Sequence, residues 1–454
     1  MSVLARSSSA STEPRRALLR GRAGFALAPV VYAALAALLL SLTLLHFGFY
    51  QRHLILDTVE YHRYGIAIWH GEVPYRDFKV EYPPAALPVF ALPALGAPGY
   101  DVFAREFYVL IGLLAAGTLL AMASVLRSLD AMPARFAAAL GFFALSPLAL
   151  GSVVIYRYDL WPAALAVAGL AAILARRERL GFASLGLGFA AKIFPGVLVP
   201  PALAYVWKTR GRREALLCLA YAAAAVAVFV VPFLIVAPDG FWGSIHRQAS
   251  RPLQIESLGA GILLVAHQVG GLHLHVITSH GSQNLGGSLP DAFAAAESAL
   301  LVITLVAVWA AAALGPAKPE RLVRYAAASV VAFAAFDKVL SPQFMIWLLP
   351  LVPLVRGRRG LVASSLLGLA LLLTQLWFPI RYWDLARDLD AFPSWTVLAR
   401  DVVLVALLAV LLVKDASARD DRIDRSVQTD VLPDTPAKPA RPPARPDGGS
   451  VSDA

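Results

Sequence analysis

The sequence contains one cysteine, Cys218, in an apolar run, which excludes a disulfide within the chain and any cysteine-based metal site. Charge is also scarce. Only 15% of the 454 residues are charged against 58% hydrophobic, and the mean hydropathy is +0.65, values that exclude a water-facing surface for most of the chain. No Gly-rich phosphate loop is present, which argues against a nucleotide-sugar donor. The net charge of +10 is not gathered into a patch. It is split into short Lys/Arg clusters between apolar runs, the pattern of a membrane protein rather than of a nucleic-acid partner.

What the sequence has in excess is long apolar runs. The stretches 27–49 and 215–236 are each long enough to span a bilayer as a helix, and the first is too long for the core of a cleaved signal peptide. The basic clusters mark cytoplasmic loops. They fall at Arg15 to Arg22, Arg127 with Arg135, Arg176 to Arg179, Lys208 to Arg213, Lys318 to Arg324, Arg356 to Arg359, and Lys414. Spans are expected near 27–50, 102–127, 134–153, 159–175, 214–236, 294–314, 325–338, 343–356, 361–380 and 395–414. The segment 180–206 has basic clusters on both sides, so it must enter and return as two short helices broken around Lys192 and Pro195. The expectation is an all-α, polytopic bundle of about 12 spans with both termini cytoplasmic. Residues 1–26 form a cytoplasmic segment, 27–414 the membrane domain, and the Pro-, Asp- and Arg-rich stretch 415–454 a disordered tail.

This path leaves two long outer loops, about 51–101 and 237–293, which hold eight of the nine histidines: His53, His62, His70, His246, His267, His273, His275 and His280. The piece from Leu258 to Val269 reads as an interfacial helix. His273 and His275 are two apart, but no third ligand follows at a suitable spacing, so no metal is expected. Asp57 and Glu60 are three apart and share one face if the first helix continues past the membrane surface. A carboxylate there can act as a general base. As charges alone, the two would be no more than a solvated face.

Several short motifs follow in order. Asp57 ends the first span; Gly71-Glu72-Val73-Pro74-Tyr75 and Glu81-Tyr82-Pro83-Pro84 follow in the first loop. Downstream come Tyr156-Arg157-Tyr158-Asp159, the run Gly188 to Pro195 around Lys192, and Lys338-Val339-Leu340-Ser341-Pro342-Gln343 with Trp347 and Pro350. In this order the motifs resemble glycosyltransferase family 87, one of the polyprenol-phosphate-sugar-dependent, C-type glycosyltransferases, which include mycobacterial mannosyltransferases. The resemblance covers about 30–415.

The resemblance implies transfer of a hexose, with mannose foremost, from a polyprenyl-phosphate donor to a glycolipid or glycan acceptor at the outer face of the cell membrane, with inversion and no cofactor. It makes Asp57 the catalytic base. Inverting transfer from a lipid phosphate also needs cations for the leaving phosphate. Those on offer are Lys192, Arg157, Arg247, Arg251 and Lys338, since charge within or beside a membrane is costly and is usually functional. Arg157 beside Asp159, and Lys338 beside Asp337, read equally well as local ion pairs. Glu60, Tyr82, Asp159, His246, Gln254, Glu256 and Gln343 are the expected donor or acceptor contacts. The rival reading is a transporter or lipid flippase, which should show two similar halves with matching interrupted helices. Here the polar residues gather asymmetrically in the two loops. A third reading, a structural partner without activity, requires Asp57 to be dispensable.

Overall fold

A computed structural model of the chain describes residues 12–413, with side chains from residue 27 onward, and the account below concerns the compact unit that ends at Leu412. The tail expected at 415–454 and residues 1–11 lie outside the described residues. Among the described residues seven helices are long and apolar enough, by length and composition, to cross a membrane. They are Leu27–Leu44 (the end of Thr12–Leu44), Tyr100–Ser128, Pro133–Leu150, Arg212–Val236, Ser288–Leu314, Gly357–Trp377 and Ala391–Leu412. Each coincides with an expected span. The fold is the expected all-α, polytopic bundle.

Three other expected spans take different forms. Leu160–Leu174 has 15 residues, about 22 Å of helix at 1.5 Å per residue, short of the roughly 30 Å hydrocarbon core. Pro319–Phe336 is buried along nearly its whole length from Leu322, so protein rather than lipid surrounds it and its apolarity need not reach that of a lipid-facing helix. The expected span 343–356 is a short helix, Phe344–Leu348, followed by a 3-10 turn at Val352–Leu354, with Pro350 and Pro353 interrupting a continuous helix.

The segment 180–206 is broken where expected. The helix Glu178–Ala191 ends at Lys192, whose backbone is extended (φ −163°, ψ 145°); a 3-10 turn runs over Phe194–Leu198, and a second helix covers Val199–Arg210. Pro195 and Pro200 lack amide hydrogens to continue the ladder. Glycines let neighbouring backbones approach closely. A Cβ at Gly186 would lie 2.3 Å from the Ala222 carbonyl oxygen, and one at Gly181 2.6 Å from that of Gly169.

The first helix stops at Leu44, short of the expected end near residue 50. Gly48 takes a left-handed conformation (φ +58°), and a 3-10 turn Gly48–Gln51 leads away from the helix axis. Asp57 consequently caps a separate helix, Thr58–Trp69, instead of extending the first. The second loop carries helices Pro238–Ala249 and Leu258–Gly270, the latter at the expected interfacial piece. It also carries a small antiparallel sheet that was not anticipated, β1 (Leu253–Gln254), β2 (His275–Ser279) and β3 (Ser282–Gly286), in the order β1-β3-β2.

The two loops are packed together. In the helix Pro238–Ala249, Ser244 Oγ donates to the Val80 carbonyl (2.8 Å) and Gln248 Nε2 to the Glu81 carbonyl (3.0 Å). A Cβ at Gly240 would lie 1.7 Å from the Tyr75 carbonyl oxygen. This contact closes the roof over a cavity whose walls come from segments far apart in sequence.

Candidate active site

The cavity has a volume of about 960 Å³ and is lined from both outer loops, the 157–158 connection, the Lys192 break and the turn after Phe336. It brings together Asp57, Glu60, Tyr82, Arg157, Lys192, Arg247, Arg251, Gln254, Glu256, Lys338 and Gln343 from the set expected from sequence. Asp159 lies just behind the wall, bonded to Lys192. His246 is the exception: it is exposed and outside the lining, because neighbours on a helix point about 100° apart and it is Arg247 and Gln248 that turn inward.

Of the two readings left open for Arg157, the local ion pair with Asp159 does not form; a crossed arrangement stands in its place. Arg157 is extended (φ −121°, ψ 144°) between the helices Val153–Tyr156 and Leu160–Leu174, and its guanidinium pairs with Asp57, one hundred residues earlier. Asp159 pairs instead with Lys192, Oδ1 to Nζ 2.6 Å, and the same oxygen accepts from Trp347 Nε1 at 2.6 Å. Local order in sequence does not decide the partner here, because Asp57 sits at the start of the helix Thr58–Trp69 and Lys192 at the end of the helix Glu178–Ala191, so each charge meets a different segment. The Asp57 carboxylate also takes longer contacts from Tyr61 Oη (3.4 Å) and Tyr82 Oη (3.5 Å), and its side chain is 30% exposed to the cavity.

Lys192 is boxed by aromatic rings. Its ammonium lies 4.9 Å from the Tyr158 centroid, 5.2 Å from Trp347 and 5.7 Å from Phe344. Trp347 is itself sandwiched between Phe194 (4.4 Å) and Phe344 (3.8 Å). Ring faces and one carboxylate together compensate the loss of water around the ammonium.

The outer-loop cations differ. Among the described residues no carboxylate lies within ion-pair distance of Arg247, Arg251 or Lys338. Arg251 donates to Ser282 Oγ (2.9 Å) and Gln248 Oε1 (3.4 Å), with its Nε unpartnered, and burial pulls its pKa down. Lys338 Nζ donates to the Ala249 carbonyl (3.1 Å), so the adjacent Asp337 is not its partner; that carboxylate accepts from Val339 N at 3.1 Å. Glu60 is bound to Arg63 at 2.6 Å in an exposed pair on the helix surface.

Sequence reading gave no role to several residues of the lining, among them the following. His280, at the tip between β2 and β3, reaches the lining and has its pKa lowered by burial and then by Arg251. Ser341, Tyr158 and Tyr382 also line the wall. Ser341 and Tyr158 stood inside quoted motifs and His280 among the loop histidines, whereas nothing local marked Tyr382.

A bundle with seven helices long and apolar enough to cross a membrane among the described residues, enclosing a cavity lined by both carboxylates and cations, defines a polytopic membrane protein. A family model for glycosyltransferase family 87 matches residues 81–342, more than half of the chain, and the chain belongs to that family. It is a membrane glycosyltransferase, and the transporter alternative falls away. Two solved structures share a distant likeness. ArnT from Cupriavidus metallidurans bound to undecaprenyl phosphate is 16% identical, with 86% of this chain and 77% of that chain covered at a TM-score of 0.45. Its apo state is 15% identical over the same shares at 0.43. No curated protein matches the chain significantly.

Proposed function

We propose that this glycosyltransferase takes a hexose, with mannose as the first choice, from a polyprenyl-phosphate donor and adds it with inversion to a lipid or glycan acceptor at the outer face of the cytoplasmic membrane. The observation that carries the reading is Asp57, a carboxylate open to the same cavity that Arg247, Arg251 and Lys338 line, three cations with no carboxylate at ion-pair distance among the described residues. The acceptor hydroxyl gives its proton to Asp57 as its oxygen attacks the anomeric carbon. The bond from that carbon to the phosphate oxygen breaks with its electron pair going to the phosphate, which Arg247, Arg251 and Lys338 hold. Arg157 fixes the Asp57 carboxylate, and Lys192, held by Asp159 behind it, adds a further cation to the cavity wall. Glu60 is tied to Arg63 on the rim and serves as an acceptor contact. Residues 27–414 form the catalytic domain, with both termini cytoplasmic, as the basic clusters require.

The test is transfer in membranes holding the full-length protein, with labelled decaprenyl-phosphate mannose and decaprenyl-phosphate glucose as donors and total envelope lipid as acceptor. Label should move to lipid or glycan only when the protein is present. Transfer from a nucleotide sugar, with none from either lipid-linked donor, would overturn the reading.

A further inference from the structure

One wall of the cavity is built for neither the phosphate nor the base. Gln254 and Glu256 are 2% and 1% exposed, both line the cavity, and both are fixed on a short stretch held from several sides. Gln254 sits in β1, paired with Asn284 of β3, and its amide nitrogen donates to the Lys338 carbonyl at 2.9 Å. Ile255 N donates to the Gln283 carbonyl (3.1 Å). The fully buried Arg400 donates to the Glu256 carbonyl (2.6 Å), and Gly259 N, just downstream, donates to Glu297 Oε1 (2.6 Å). The backbone that carries the two side chains is thus held from several sides.

Their side chains are satisfied on one side only. Gln254 Nε2 spends its hydrogens on Glu256 Oε2 (2.5 Å) and Ser341 Oγ (2.7 Å). Ser341 Oγ donates in turn to Glu256 Oε2 (3.3 Å). What remains is Gln254 Oε1 and Glu256 Oε1, two buried acceptors with no partner among the described residues. Buried acceptors in folded proteins find donors, so two adjacent ones left without them point to a ligand that brings the hydrogens. A phosphate brings none, and these oxygens repel it. An apolar lipid chain brings none either. Neighbouring hydroxyls on a sugar ring bring two.

We propose that Gln254 and Glu256 read the hexose of the donor, their free side-chain oxygens accepting hydrogen bonds from adjacent ring hydroxyls while Ser341 and Arg400 position the pair. The assignment rests on the donor reading above and divides the cavity into two parts, cations for phosphate and paired acceptors for sugar. Such a site selects strongly, because a sugar lacking one of those hydroxyls leaves a buried acceptor unpaired.

The test uses the full-length protein in nanodiscs and measures binding of decaprenyl phosphate and of its mannosyl, glucosyl and galactosyl forms to the wild type, Gln254→Leu and Glu256→Gln. Wild type should prefer one glycosylated carrier over the bare one. Both variants should lose about tenfold or more in affinity for that form, the worth of a charge-assisted hydrogen bond in Glu256→Gln, with bare decaprenyl phosphate bound as before. A wild type that binds neither the bare nor any glycosylated carrier overturns the donor reading itself, and the assignment with it. A wild type that binds the carriers, alongside variants whose affinities for all of them are unchanged, overturns only the sugar assignment. If Glu256→Gln loses every carrier through misfolding, Gln254→Leu decides: a sugar-specific loss sustains the assignment, and either no loss or equal loss of bare and glycosylated carriers overturns it.

Discussion

Replacing Lys192 with Met removes an ammonium 2.6 Å from Asp159 Oδ1. The carboxylate left behind is 1% exposed, its Oδ2 is already without a partner, and only Trp347 Nε1 at 2.6 Å continues to support it. Breaking a buried pair from one side costs about 3–5 kcal/mol, and since the Lys192 side chain keeps 16% exposure we expect about 3. Adding Asp159→Asn removes the stranded charge while the amide oxygen keeps the bond from Trp347. The double variant should therefore lie within about 1 kcal/mol of wild type, a recovery of about 2 kcal/mol relative to Lys192→Met alone. Thermal unfolding in nanodiscs at one scan rate, which matters where unfolding is irreversible, gives the order of stability. The single variant should melt several degrees below wild type and the double should recover most of the loss. A single variant that melts with wild type, or a double that melts below the single, refutes the crossed pairing.

Two further outcomes follow from the geometry. Burial pushes Glu256 up to about 7, against the opposing pull of Arg400, Gln254 and Ser341, so the folded state holds its proton more tightly than the unfolded chain does. The stability it contributes is full below about 4.5 and is lost as pH rises to about 7, roughly 3 kcal/mol in all. Melting temperature against pH should flatten across that window in Glu256→Gln, and an unchanged slope counts against the burial argument. Gly240→Ala should loosen the docking of the two loops at a cost of about 1–3 kcal/mol, because the new methyl meets the Tyr75 carbonyl, whereas Gly243→Ala, with open space around it, should stay near wild type. Equal melting and equal protease resistance of the two variants would contradict this.

The bundle was legible because lipid imposes long apolar runs and retains Lys and Arg on one side, a signal carried within each segment. The break at Lys192 was legible for the same reason: basic clusters on both sides left no other path, and Pro195 marked the place. The end of the first helix was not. Phe47, Phe49 and Tyr50 prolong the apolar run, and only the left-handed backbone at Gly48 reveals the turn. The sheet in the second loop was hidden as well, since strands such as His275–Ser279 and Ser282–Gly286 are short and polar and lack apolar alternation. In the site, residue types were legible but pairings were not. Asp57 finds Arg157 and Asp159 finds Lys192 only through tertiary packing, and the one-residue step from His246 to Arg247 decides which of them enters the cavity.

The most direct measurement is the rate of sugar transfer from decaprenyl-phosphate mannose, or from whichever glycosylated carrier the wild type uses, in Asp57→Asn beside Glu60→Gln. Asparagine keeps the size of Asp57 and a hydrogen-bonding oxygen but cannot take the proton. Transfer should fall by about a hundredfold or more while donor binding persists, the usual loss for a general base, and Glu60→Gln, which removes an exposed partner of Arg63 and one acceptor contact, should lose far less, through weaker acceptor binding. Near-normal transfer by Asp57→Asn together with its loss in Glu60→Gln would move the base to Glu60 and contradict the account.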